Sequence, residues 1–167
     1  MKVSGRNLGR RLMLLGDRIA RIKHRKGHGV HSPFVYSLVR KVFMSRILFE
    51  GTGSELYELL RMKGLSQKSA RQLHNLLYHI EAKSYSINEI KGEVSILLPD
   101  YPANGLRDAL KKAKGEGLTL VVCQPYANRE RQNEIVTIVD EHSSTTVDNR
   151  TYILFFNNYL PKQHYRL

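Results

Sequence analysis

The chain has 167 residues, 27 Lys and Arg against 15 Asp and Glu, and a formal net charge of +12. An apolar fraction of 41%, with nine Tyr and five Phe, fits one packed domain and excludes wholesale disorder. No apolar run approaches the roughly 18 residues of a membrane span. The apolar stretch 12–15 is too short, and too ringed by Arg, for a signal peptide. The single Cys123 excludes an internal disulfide and a multi-thiolate zinc site, so a reducing cytoplasm is the expected location.

The charge is local. Residues 1–50 hold twelve Lys and Arg against Asp17 and Glu50, a formal +10, which leaves +2 on the other 117 residues. That distribution argues against a nucleic-acid footprint over the whole surface and for a basic arm on a near-neutral domain.

In chain order, Leu8, Leu12, Leu15, Ile19 and Ile22 recur at spacings of four and three, one face of a helix with Arg mostly on the other faces. Gly27 and Gly29 break the pattern. Ser32-Pro33 restarts it, with Ser as cap and Pro at the first helical position. Phe34, Val35, Leu38, Val39, Val42 and Phe43 give the second helix a broad apolar stripe. A third, short helix carries Leu56, Leu59 and Leu60 and closes near Gly64, and Ser66 caps a fourth with Leu73, Leu76, Leu77 and Ile80.

From here the period changes. Residues 84–88 read as a short strand, and 93–100, with Val94, Ile96, Leu97 and Leu98, as a strand buried on both faces. A helix over 104–114 is stopped by Gly115 and Gly117. A buried strand over 118–123 follows, then a helix over 128–140 with Ile135, Ile138 and Val139 inward. Residues 145–147 and 151–156 read as a hairpin around Asp148-Asn149, and 160–167 as an extended tail. Strands alternating with helices imply a parallel sheet with a closing antiparallel hairpin at its edge. The first two strands are expected not to pair in parallel, since the few residues between them fall short of an ordinary crossover. There is no internal repeat.

Two separated segments carry a resemblance: Lys23-His24-Arg25-Lys26-Gly27-His28-Gly29-Val30-His31-Ser32-Pro33-Phe34-Val35-Tyr36, and Leu160-Pro161-Lys162-Gln163-His164-Tyr165 after Tyr152-Ile153-Leu154-Phe155-Phe156. Together they resemble a bacterial family of class I S-adenosylmethionine-dependent methyltransferase-like proteins. In that family an HGxHSPFVF stretch precedes a Rossmann-like domain, and a terminal strand runs into a KQHF-like tail. Residues 66–80 are similar to the helix leading into the family's first strand, 96–109 to its fourth strand and following helix, and 121–139 to its fifth. The resemblance implies an α/β fold with a Rossmann-like, partly parallel sheet of reduced strand number. A C-terminal antiparallel hairpin closes the sheet, and an N-terminal helical segment precedes it. Residues 1–50 form the arm and 51–167 the shortened domain, in one compact unit.

Family members are longer, and the missing part lies in the middle. The glycine-rich turn that admits S-adenosylmethionine would be Asn88-Glu89-Ile90-Lys91-Gly92, where only Gly92 is glycine. The second and third strands are absent. The resemblance implies S-adenosylmethionine as cofactor and methyl transfer as activity, while the missing turn opens a second outcome, an inactive homologue. Gly51-Thr52-Gly53 mimics the turn, but no Asp or Glu stands about 20 residues on to take a ribose, and a helix-ending loop is the expected role.

Asp100 ends a buried strand where ligands of open α/β sheets collect, and it is the candidate catalytic or ligand-binding carboxylate. Tyr101, Asn104, Gln124 and Tyr126 are ligand-binding candidates at the same strand ends. In related metal-dependent O-methyltransferases an Asp here helps hold a cation, but Cys123, Gln124 and Pro125 follow the next strand and make a poor oxygen cage, so no metal is expected. Arg25, Lys26, His28, His31 and Ser32 form a candidate anion site beside a helix start. Cys123 reads as core and His164 as edge-strand packing. The first helix offers two partners, RNA or an anionic surface through its Arg face, and a second copy of the chain through its Leu/Ile seam. A non-enzymatic binding module using that basic helix is the alternative function.

Overall fold

The computed structural model describes residues 32–50, 54–157 and 160–167. The expected first helix, Arg25, Lys26, His28, His31 and the Gly51–Gly53 turn lie outside the described residues. Helix α1 spans Pro33–Leu38, with the Ser32 hydroxyl accepting from the Val35 amide at 3.3 Å and Pro33 in the first turn. It continues as a π-helical turn over Val39–Phe43, closed by the Met44 amide on the Val39 carbonyl at 3.0 Å. Helix α2 is Ser54–Met62 and α3 is Gln67–His79, capped by Ser66 Oγ on the Ser69 amide. Strands β1 (Tyr85–Ile87) and β2 (Val94–Leu97) follow, then α4 (Leu106–Gly115), β3 (Thr119–Cys123), α5 (Arg129–Glu141), β4 (Thr145–Asp148), β5 (Tyr152–Phe155) and β6 (Gln163–Arg166).

The six strands form one sheet in the order β1-β2-β3-β5-β4-β6. β5 runs antiparallel to both neighbours, and the other pairings are parallel. Side-chain alternation gives each face its own core. Val94, Ile96, Val121, Cys123, Val147, Tyr152 and Leu154 pack with Val35, Leu38, Val42, Leu60, Leu73 and Leu76 of the N-terminal helices. Leu97, Leu120, Val122, Ile153 and Phe155 pack with Leu106, Leu110, Ile135 and Ile138 of α4 and α5. The result is a Rossmann-like α/β sandwich, helices on both faces, as the alternating pattern predicts. The second helix of the basic arm belongs to the first of these cores. No helix among the described residues is long and apolar enough to cross a membrane.

Three expectations need correction. First, β1 and β2 do pair in parallel, Tyr85 opposite Val94 and Ile87 opposite Ile96. Both are so short that the return path is only about 7–10 Å at ~3.3 Å per residue, and residues 88–93 span it without a helix. Asn88 and Gly92 turn the chain with φ of 57° and 77°. Ser86 Oγ lies 2.7 Å from the Glu89 carbonyl and 3.1 Å from Ser95 Oγ, which in turn accepts from the Lys91 amide. Ile90 packs on the second core.

Second, the hairpin does not close the sheet. β5 inserts between β3 and β4, and the edge is the tail strand β6, parallel to β4. Thr145 Oγ1 and Ser144 Oγ donate to the Pro161 and Leu160 carbonyls, which docks the tail alongside. Third, Asp148 is not a turn residue. It ends β4 fully buried, and the turn is made by Asn149, Arg150 and Thr151, with Arg150 at φ 74°.

Candidate functional site

The carboxyl end of β3 opens onto a cavity of about 430 Å³. Its walls are Leu65, Ser66 and Ser69 before and within the first turn of α3, Cys123, Gln124, Tyr126 and Ala127 after β3, and Arg150 and Thr151 of the β4–β5 turn. This is where an open α/β sheet offers ligand space, because strands stop there and connecting loops diverge. Gln124 turns the chain with φ 45°, its amide on the Thr151 carbonyl at 2.8 Å. Beneath the loops, the Asp148 carboxylate accepts from Tyr126 Oη at 2.7 Å and from the Arg150 amide at 2.6 Å. One buried carboxylate thus fixes two of the cavity's walls.

Gln124 and Tyr126 both line this cavity. Asp100, Tyr101 and Asn104 are not among the walls. Asp100 is exposed and accepts from Asn88 Nδ2 at 3.0 Å. The end of β2 is taken by Arg131, a side chain 2% exposed on the first turn of α5. Its Nη1 donates to the Tyr101 carbonyl at 2.7 Å, and its Nη2 reaches the Leu98 and Cys123 carbonyls at 3.2 and 3.1 Å. Burial pulls its pKa down, opposed by Cys123 and Asp100. Within an Arg-Glu-Arg run it reads as solvated charge. Its one signal was position, four and seven residues before the core positions Ile135 and Ile138. Asp148 was missed for a different reason: Asp-Asn is a good turn pair.

Cys123 is buried, and desolvation raises its thiol to about 12 against a smaller opposing effect of Arg131. A thiol so protonated is no nucleophile at neutral pH. His164 stands on the edge strand, its Nδ1 2.6 Å from Thr146 Oγ1. Ser32 is occupied as a helix cap. Among the described residues no group of three His, Cys, Asp or Glu can hold a metal ion.

The residues after β1 do not fit S-adenosylmethionine. The cofactor needs a glycine-lined turn open to an outside ligand. Here the sole glycine faces the chain itself: a Cβ on Gly92 would stand 3.0 Å from Ser84 Oγ. Asn88, which starts the turn, spends its Oδ1 on the Leu98 amide at 2.8 Å. The acidic residue that would take the ribose has no counterpart, since the chain passes directly to β2. Compared with protein-family models, curated proteins and solved structures, the chain matches none.

Proposed function

We propose that this chain is a methyltransferase-like binding module that neither holds S-adenosylmethionine nor transfers methyl groups. The observation that carries the reading is the connection 88–93, which joins β1 to β2 where an intact doubly wound sheet inserts two more strands. Its order β1-β2-β3, with β4 parallel beyond the inserted β5, keeps the 1-4-5-6 half of the 3-2-1-4-5-6 arrangement and lacks the outer two strands. Ligands of such sheets sit in the crevice at the switch point beside the first strand. Without the outer strands that crevice has one wall, and the chain's own Ser86, Asn88 and Ser95 fill the turn.

Calorimetry with S-adenosylmethionine and S-adenosylhomocysteine tests this reading. No heat at millimolar ligand is expected, and saturable one-to-one binding of either would overturn it. The second reading, an RNA-binding or anionic-surface module, draws on the +10 carried by residues 1–50. It requires an RNA affinity that falls steeply with salt and depends on those residues.

A further inference from the structure

We propose that the cavity at the end of β3 is a binding site for a small organic anion, a carboxylate carried on a compact apolar body. The cavity lies on the β3–β5 side of the sheet, so the inference does not depend on whether S-adenosylmethionine binds beside β1. Its volume of about 430 Å³ lies in the range of small-molecule sites.

Its lining is divided. Leu65, Cys123 and Ala127 form an apolar part, and Ser66, Gln124, Arg150 and Thr151 a polar part. Among the described residues Arg150 is the one charged residue of the lining, and no lining residue carries a carboxylate. Asp148 is fully buried and accepts from Tyr126 Oη and the Arg150 amide. It anchors two lining residues, through the Tyr126 hydroxyl and the Arg150 backbone, and Arg150 itself is exposed. No acidic residue sits in the first turn of α3, which adds a modest positive field on the same side. A guanidinium pairs best with a planar oxyanion. The apolar wall then favours a ligand with a hydrophobic body over a bare inorganic ion.

The inference is tested by amide-resolved NMR titration of the full chain with sodium benzoate, benzamide and sodium acetate. Benzoate should shift the amides of Ser66, Ser69, Gln124, Arg150 and Thr151 and saturate in the millimolar range. Benzamide, without charge, and acetate, without the apolar body, should each bind about tenfold more weakly. Arg150→Asn keeps a residue tolerant of the left-handed turn and should bring benzoate down to the level of benzamide. Ala127→Phe fills the cavity and should abolish all three.

Equal binding of benzoate and benzamide overturns the proposal. So do shifts that map elsewhere, or an Ala127→Phe variant, folded by its amide spectrum, that still binds benzoate. Calorimetric binding of S-adenosylmethionine with shifts confined to residues 84–93 would overturn the functional reading above and leave this site intact.

Discussion

The two sides of the sheet solve the same problem differently. Around β3 and β5 the chain uses four- and five-residue strands, buried throughout β5 and at all but the first position of β3, with long helices on each face. At β1 it uses three half-buried residues and a six-residue return with no helix. The first side is held by apolar area, and the second by a knot of hydroxyl and amide hydrogen bonds among Ser84, Ser86, Asn88 and Ser95. A parallel pair therefore does not require a long crossover when its strands are short and polar side chains satisfy the turn. The cavity opens on the well-packed side, while the β1–β2 turn is filled by the chain's own side chains.

Three substitutions sharpen the comparison. Arg131→Met has the largest expected effect. It removes the donor to three carbonyls at the ends of β2 and β3 and should lower stability by about 3 kcal/mol, read by urea unfolding. A loss under about 0.5 kcal/mol would mean those carbonyls find other donors. Next is Asn88→Ala, which strands the buried Leu98 amide and places a Cβ-bearing residue without Asn's tolerance at φ 57°. The expected cost is about 2 kcal/mol. Asn88→Gly should recover about half of it, because glycine relieves the backbone but not the hydrogen bond. Equal losses in both variants would show that the backbone conformation is not a factor.

The smallest effect is a pH dependence on the packed side. His142 is 3% exposed, with Nε2 3.1 Å from the Phe156 carbonyl, and burial lowers its pKa below the ordinary 6.5. The unfolded chain takes up the proton first, so the stabilisation is complete above pH 6.5 and declines as pH falls toward the depressed folded value. The decline cannot exceed about 1.4 kcal/mol per pH unit for one group. His142→Gln should flatten the slope. An unchanged slope would assign it to His79, whose pKa is also lowered, first by partial burial and then by Lys41.

The sequence made the packed side legible and the edge illegible for physical reasons. Runs such as Leu120-Val121-Val122 are apolar on consecutive positions because both faces are covered, which leaves a signal legible in the residues themselves. The caps Ser32 and Ser66 were equally readable from residue type and place, whereas Asn128, read as the first residue of its helix, proves to be the cap, accepting from the Arg131 amide at 2.8 Å. The β1–β2 pairing was hidden because the ordinary rule for parallel crossovers assumes longer strands. Arg131 was hidden because a charged run is read as exposed, and Asp148 because Asp-Asn reads as a turn pair; only the fold brings three carbonyls to one and a tyrosine hydroxyl to the other. The candidate site was half legible: Gln124 and Tyr126 share its wall, while Asp100, Tyr101 and Asn104 are not among its walls, and the Tyr101 carbonyl is taken by Arg131.

That β1 and β2 are parallel neighbours is the central claim, and solution NMR tests it most directly. Short-range NOEs of the parallel type are predicted between Tyr85 and Val94, Ser86 and Ser95, and Ile87 and Ile96. NOEs of an antiparallel pair, or none between these segments in an otherwise intact sheet, would contradict it.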